Sequence, residues 1–178
     1  ETKELAHANR KIGLGVMGFA DMLIEMKVKY SSDKALQAAE EVMKFVNEEA
    51  RRASVALAQE RGLFPNFMKS FYNSKKKEDR VRNATRTAIA GTSTISIIAG
   101  CSKGIEAAEV VIKSTDGRGM VNPYLLDALK GEQVLSGGTL TKITEQGTLK
   151  GVFIPSWVKK LFVTAEEIPA EWHVKVQA

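Results

Sequence analysis

The chain has 178 residues, of which 44% are hydrophobic and 26% charged, with a formal net charge of +5 and a single cysteine. These values are typical of a folded globular domain with a sizeable core, and they exclude an internal disulfide framework and a cysteine-rich metal site. No apolar run approaches the roughly 20 residues of a membrane span. We therefore expect a cytoplasmic protein with no membrane partner.

The positive charge is not concentrated. The only dense basic run, Lys75–Lys77, is followed at once by Glu78 and Asp79, which is more typical of a solvated turn than of a nucleic-acid surface. We therefore expect no nucleic-acid partner. The chain opens on Glu1 instead of Met, so we expect it to be a piece of a longer polypeptide.

The first half of the chain is expected to be mainly helical. Residues 3–27 predict a helix with a glycine-rich middle, and residues 63–80 predict a loop with a short helix. Residues 33–61 predict a long helix that is capped at Ser31–Asp33 and ended by Gly62, because apolar residues recur at alternating spacings of three and four. The apolar face consists of Leu36, Ala39, Met43, Val46, Ala50, Ala53 and Leu57.

The next elements are short. Residues 86–90 predict a buried strand, and residues 94–100 predict the start of a helix or a second strand. Val110–Ile112 predicts a strand that ends in the turn Ser114–Gly117. Pro123–Lys130 predicts a helix with proline at its first position and glycine behind it.

The last part of the chain is poorer in regular structure. Residues 131–151 predict loops with a marginal helix near Leu140–Gln146, and residues 156–163 predict a last short helix or an extended segment. The predicted fold class is α/β, mostly helical with a few short strands. Such a balance suits one sector of a larger α/β barrel better than a complete sheet-based enzyme.

A glycine series near the N-terminus allows two interpretations. Gly13, Gly15 and Gly18 match G-x-G-x-x-G, the fingerprint of an NAD(P)-dependent oxidoreductase, which requires a buried strand over about residues 6–12. The residues there are charged and helix-friendly. We therefore favour the second interpretation, in which the glycines let a helix press against a neighbour.

A second small-residue segment, Gly91–Thr94, lies between two apolar runs. Unbonded amides at the start of a helix, with hydroxyls and a glycine beside them, suit a phosphate group. The alternative interpretation is an ordinary capped turn.

Three blocks along the chain carry a family resemblance. They are NRKIGLGVMGFAD over Asn9–Asp21, RNATRTAIAGTSTISIIAGCSKGIE over Arg82–Glu106, and FVTA with PAEWH within 162–173. In this order they resemble a helix, the phosphate-loop region and a downstream segment of the ribonucleotide reductase large subunit, above all the adenosylcobalamin-dependent class. The resemblance implies that residues 1–178 are a single region of the larger catalytic ten-stranded α/β barrel domain, with 131–151 as a loop-rich insertion.

The resemblance implies an oxidoreductase that makes deoxyribonucleotides, the precursors for DNA replication, by radical chemistry. This piece would supply the loop that binds the substrate's phosphates, supported by Glu106. No catalytic residue and no metal ligand is expected here, because Cys101 matches the family's G-C-S-x-G position instead of the radical cysteine and is expected to be a small buried residue. The residues expected to bind the phosphates are Gly91, Thr92, Ser93, Thr94 and Ile95.

Three positions depart from the family pattern. Gly91 and Ala107 stand where the family has proline, and Ser93 stands where it has glycine. Proline stiffens a loop and glycine frees it, so these departures bear on phosphate affinity.

The implied partners are a nucleoside di- or triphosphate substrate and the remainder of the reductase chain. The implied cofactor is adenosylcobalamin, whose contacts the sequence does not assign. A homo-oligomer is also expected, because the apolar stripe over residues 36–57 would be partly exposed in an isolated piece, which would be inactive alone. The alternatives are the NAD(P)-dependent oxidoreductase above and a non-catalytic, reductase-like nucleotide-binding or structural module.

Overall fold

The computed structural model describes residues 1–73, 76, 80–113 and 119–178. These parts of the chain form two compact units, residues 1–15 with 40–90 and residues 16–39 with 91–178. No helix in the described parts is both long enough and apolar enough to cross a membrane. The helices and strands are α1 Thr2–Asn9, α2 Phe19–Glu25, α3 Asp33–Arg61, α4 Ser93–Ala99, β1 Val111–Lys113, β2 Gly119–Val121, α5 Pro123–Gly131, α6 Gly137–Gln146, α7 Ser156–Leu161 and α8 Ala170–Gln177.

The first unit has a small aromatic core beside α3. Phe64, Phe67 and Val81 are buried together, and the rings of Phe64 and Phe67 meet edge to face at 5.6 Å. A 3₁₀ helix, Pro65–Lys69, carries Phe67 into this core. On α3, the buried Ser54 hydroxyl donates to the side-chain oxygen of Asn83 at 2.9 Å. This contact fixes the start of residues 82–85, the RNAT segment, against the helix.

The glycine series adopts a different structure from the one predicted. The helix expected over residues 3–27 is wrong in its middle, because α1 ends at Asn9 and the chain then runs extended. Leu14 pairs in parallel with Thr87, and its amide donates to the Arg86 carbonyl at 2.8 Å. The helix through Asn9 also occupies most of the segment that had to be a strand in an NAD(P)-binding fold, so this structural requirement is not met.

Two of the glycines nevertheless allow the backbone to approach a neighbouring segment closely. A Cβ atom on Gly13 would lie 2.6 Å from the Ala88 Cβ, and one on Gly15 would lie 2.6 Å from the Ala88 carbonyl oxygen. Such distances are well inside van der Waals contact. The extended pairing with residues 85–88 therefore requires residues without a side chain at positions 13 and 15.

We expect Gly15→Ala to lower the free energy of unfolding by about 1–3 kcal/mol, the usual penalty for overpacking. The backbone of Ala88 cannot move aside without disturbing the bond that its amide donates to the Leu14 carbonyl at 3.1 Å. Gly138→Ala is the matched control, since a Cβ there meets nothing within 4 Å and the position lies in α6. Chemical denaturation of the two variants checks this, and equal stability would contradict it.

The second unit contains two apolar clusters. One lies among β1, β2 and α5–α7 and includes the fully buried Leu125, Leu129, Ile143 and Val158. The other joins α2 and the first turns of α3 to α8. Its buried members are Phe19, Leu23, Tyr30, Ala35, Ala38, Ala107, Ile168 and Val176. β1 and β2 form an antiparallel pair with Ile112 opposite Met120.

Most predicted elements are confirmed, and so is the α/β class with mostly helical content. The long helix begins at Asp33 and ends at Arg61, and Gly62 follows it with φ 80°. Its buried residues form two separate pairs, Ala35 with Ala38 near the start of the helix and Ser54 with Ala58 near its end. The larger members of the predicted stripe are half-buried.

Other predictions need correction. The buried strand over 86–90 is wrong: only Thr87 forms a bridge, and residues 88–90 are exposed because the described part of this unit places no second layer over them. The helix near Leu140 begins three residues earlier, at Gly137, and α8 was not predicted. The predicted turn at 114–117 and most of the Lys75–Asp79 charge run lie outside the described residues, and the insertion at 131–151 stays a prediction.

Candidate functional site

The predicted phosphate loop is the entry to α4. Thr92 is the residue before the helix and has left-handed backbone angles of φ 31° and ψ 23°. Its carbonyl accepts the Ser96 amide at 2.9 Å, which starts the helical hydrogen bonding. Gly100, with φ 67°, ends the helix after its seven residues. The segment is therefore a tight turn that leads into a short helix, as the sequence predicts.

The amides of this turn are available for hydrogen bonding. Among the described residues, no acceptor is found for the backbone N–H groups of residues 91–95. Gly91, Ser93, Thr94 and Ile95 are exposed, and Thr92 is half-buried. Unbonded donors at the positive end of a helix dipole form a surface that favours an anion. The Ser93 hydroxyl turns away from these donors and donates to the Gly91 carbonyl at 3.1 Å.

The Thr92 side chain bonds a later part of the chain instead of capping α4. The Thr92 hydroxyl does not bond the first amides of its own helix but accepts the Gly104 amide at 2.8 Å. The segment that follows α4, residues 101–105 (the return segment), is thereby fixed against the loop. Tyr30 holds the same return segment, because its hydroxyl donates to the Ile105 carbonyl at 2.9 Å. These two bonds consequently hold the amides of the loop in a fixed position.

The return segment is also bonded to the start of α2. The Ser102 amide donates to the Asp21 carboxylate at 2.6 Å, and the Asp21 amide donates to the Ser102 hydroxyl at 3.3 Å. The Gly18 amide donates to the Ser102 carbonyl at 2.8 Å. These reciprocal bonds fix residues 101–105 from the other side. They are the part of the site that sequence reasoning missed, although Asp21 lies in the first turn of a glycine-led helix, where a carboxylate commonly bonds backbone amides.

Cys101 is half-buried between these contacts. A Cβ atom on Gly18 would lie 3.6 Å from the Cys101 Cβ, in ordinary contact. Burial, and after it the charge of Asp21, raises the pKa of the Cys101 thiol. A raised pKa keeps the sulfur protonated, which is the opposite of what an activated nucleophile needs. No group of three His, Cys, Asp or Glu side chains in the described ranges is placed to hold a metal ion.

In the described structure the Glu106 carboxylate accepts no hydrogen bond from the loop amides. This carboxylate is exposed, and the Glu106 amide donates to the Lys103 carbonyl at 3.1 Å. Lys103 directs its ammonium group to Glu109 at 2.6 Å. The side-chain bonds that hold the loop and the segment after α4 are thus made by Thr92, Tyr30 and Asp21. The supporting role of Glu106 stays a prediction.

The chain matches a protein-family model over its whole length. The model is described as "Ribonucleotide reductase, barrel domain", and the match covers residues 1–178. A protein of Thermoplasma acidophilum named "Vitamin B12-dependent ribonucleoside-diphosphate reductase" is 45% identical over 100% of this chain and 24% of its own length. A protein of the same name from Mycobacterium tuberculosis is 37% identical over 100% of this chain and 26% of its own length.

Solved structures agree on the fold. The Actinobacillus ureae class Id ribonucleotide reductase alpha subunit superposes with a TM-score of 0.79, with 23% sequence identity, over 98% of this chain and 32% of that subunit. The chain spans about a quarter of the length of the two curated relatives. The resemblance noted in the sequence is therefore confirmed, and this chain belongs to the ribonucleotide reductase family as a segment of its barrel domain.

Proposed function

We propose that this chain is the part of a vitamin B12-dependent ribonucleoside-diphosphate reductase that binds the phosphate groups of the substrate. The observation that carries the proposal is the set of backbone amides over Gly91–Ile95, for which the described structure holds no acceptor. The names of the 45% and 37% identical relatives support the diphosphate as the substrate form. The product would be the corresponding deoxyribonucleotide.

The chemistry of this segment is binding and orientation. Backbone N–H groups that donate to a phosphate form charge-assisted hydrogen bonds, each worth about 1.5–3 kcal/mol. Because the Thr92–Gly104 bond holds the turn in place, little ordering is needed when the anion arrives. The loop fixes the phosphate end of the nucleotide, and the position of the ribose follows from that anchor.

The radical chemistry belongs to residues outside this chain. Cys101 is the only cysteine here, and its raised pKa and half-buried position suit packing. Adenosylcobalamin would supply the initiating radical when bound to the whole enzyme. We assign no cobalamin contact to any residue of this segment.

The exposed apolar surface of α4 indicates that the remainder of the reductase chain packs against this segment. Ile95, Ile97 and Ile98 are 53%, 45% and 81% exposed, whereas Ser96 is the buried residue of this helix. An apolar helix face beside a polar loop marks a surface that is covered in the assembled protein. In the reductase, further barrel segments would cover this face and enclose the phosphate loop.

Thr92→Val tests the proposal in the full-length enzyme. Valine keeps the branched shape but cannot accept the Gly104 amide, so the loop loses its closure. We expect KM for a ribonucleoside diphosphate to rise about tenfold, which corresponds to about 1.4 kcal/mol, while kcat changes much less. Thr92→Ser keeps the oxygen and should stay within about threefold of the parent KM.

The fold of each variant is checked by thermal unfolding. A folded Thr92→Val enzyme with unchanged KM would remove the loop from substrate binding. A folded full-length protein that binds no nucleotide at all would favour the reductase-like module without chemistry.

A further inference from the structure

The first unit contains a cavity that the proposed function does not use. Its volume is about 480 Å³, within the range of small-molecule sites. It lies where the end of α1 meets the 3₁₀ helix and the RNAT segment. None of its lining residues belongs to the loop at Gly91–Ile95.

The described residues of the cavity wall carry charge of one sign. Lys11 and Lys69 both line it, both are exposed, and no lining residue in the described ranges carries a carboxylate. Neither ammonium group has an acidic partner within the described chain. Exposed cations that converge on a hollow without a counter-charge attract an anionic ligand.

Arginines close in sequence to the lining residues add positive charge. Arg10 directly precedes Lys11, and its carbonyl accepts the Asn83 side chain at 2.9 Å. Arg82 lies two positions before the lining residue Ala84; burial lowers its pKa, and the charges of Arg10 and Arg61 lower it further. These charges would attract an anion to the cavity as well.

Aromatic rings form the other part of the wall. Phe71 is 87% exposed, and its ring lies 4.0 Å from that of Tyr72, centroid to centroid. Arg86 lies 5.5 Å from the Tyr72 ring centre and its Nη1 donates to the Tyr72 hydroxyl at 3.3 Å, so the tyrosine is held while the phenylalanine stays open to a planar ligand. The buried Phe64 meets Tyr72 edge to face at 6.2 Å.

Two side-chain amides complete the lining. The Asn66 side-chain N–H donates to the Asn9 side-chain oxygen at 3.2 Å, and Asn9 donates to the Leu5 carbonyl at 3.3 Å. In the described structure the Asn66 side-chain oxygen has no donor. It can accept from an amino group at the edge of a heterocycle.

The geometry points to a second ligand site in this chain, a cavity between α1 and Pro65–Lys69 that binds a nucleoside phosphate. The lysines would hold the phosphate, Phe71 would stack on the base, and Asn66 would bond the edge of the base. A purely apolar ligand would leave both lysines without a partner. An inorganic anion would leave the exposed ring of Phe71 without a role.

Photolabelling of the full-length enzyme with 8-azido-AMP tests this site. We expect mass spectrometry to locate the label within residues 63–72, and excess AMP to prevent it at concentrations where adenosine or inorganic phosphate does not. The double change Lys11→Met with Lys69→Met should reduce the label at least about tenfold, which is the loss of at least about 1.4 kcal/mol of binding. Phe71→Ala should reduce it as well.

The controls separate this site from the loop. Lys34→Met alters an exposed lysine at the start of α3 and should leave the label unchanged. Ser93→Asp blocks the proposed phosphate loop and should also leave it unchanged. The inference is overturned by absence of label from residues 63–72, by label that survives the double lysine change, by competition from phosphate equal to that from AMP, or by label lost in Ser93→Asp.

Discussion

Replacing Ser93 by aspartate is expected to abolish substrate binding at the loop while the fold persists. Ser93 is the first residue of α4 and is exposed beside the amides without acceptors. At a separation of about 5 Å, a carboxylate there would repel each unit of phosphate charge by about 3 kcal/mol at an effective dielectric constant of about 20. KM for a ribonucleoside diphosphate should therefore rise at least about a hundredfold.

The same substitution should not unfold the protein. A negative side chain in the first turn of a helix interacts favourably with the helix dipole, by about 0.3–1 kcal/mol. The serine hydroxyl contributes only the local bond to the Gly91 carbonyl. We therefore expect thermal unfolding of Ser93→Asp at or above the temperature of the parent protein, even though binding is lost.

Ser93→Asn is the matched control for charge. Asparagine has nearly the shape of aspartate but no charge, and KM should stay within about fivefold of the parent value, a difference of about 1 kcal/mol. Steady-state kinetics and direct titration of the nucleotide, both at fixed ionic strength, distinguish the two variants. If asparagine and aspartate weaken binding equally, the loop does not face an anion and the proposed role ends.

Local patterns in the sequence were sufficient for the helices α3 and α5. Alternating spacings of three and four predict α3, and proline followed by glycine predicts α5, since both signals arise within one or two helical turns. The glycine series was harder to interpret, because a glycine signals close approach without telling which backbone makes it. Pairing with Ala88, more than seventy positions later, decided that Gly13 and Gly15 are extended.

The same distinction applies to the site. The turn at Gly91–Thr94 was predictable because its residues are adjacent. The bond from Gly104 to Thr92 was not, since a hydroxyl before a helix is expected to cap that helix. Asp21 gave no distinctive signal either, because its partner Ser102 is 81 positions away. Contacts that fix a site over such distances depend on the tertiary structure.

The last expected result concerns Asp21 itself. It is 8% exposed, and its carboxylate accepts the Ser102 amide at 2.6 Å. Asp21→Ala would leave that amide without an acceptor, which should lower the free energy of unfolding by about 1.5–3 kcal/mol. Asp21→Asn keeps a side-chain oxygen for the same amide and should lose less than half as much. Chemical denaturation of both variants measures the difference.

Cys101 reports the charge of Asp21 separately from its hydrogen bond. After burial, this charge is the second cause that raises the pKa of the Cys101 thiol. In Asp21→Asn that cause disappears, so the pKa should fall and the thiolate fraction at a given pH should rise. Alkylation of Cys101 by iodoacetamide, followed by mass spectrometry of its peptide, should therefore be faster in Asp21→Asn than in the parent protein below the thiol pKa. An unchanged rate in a protein of unchanged stability would show that the charge of the carboxylate does not act on the thiol.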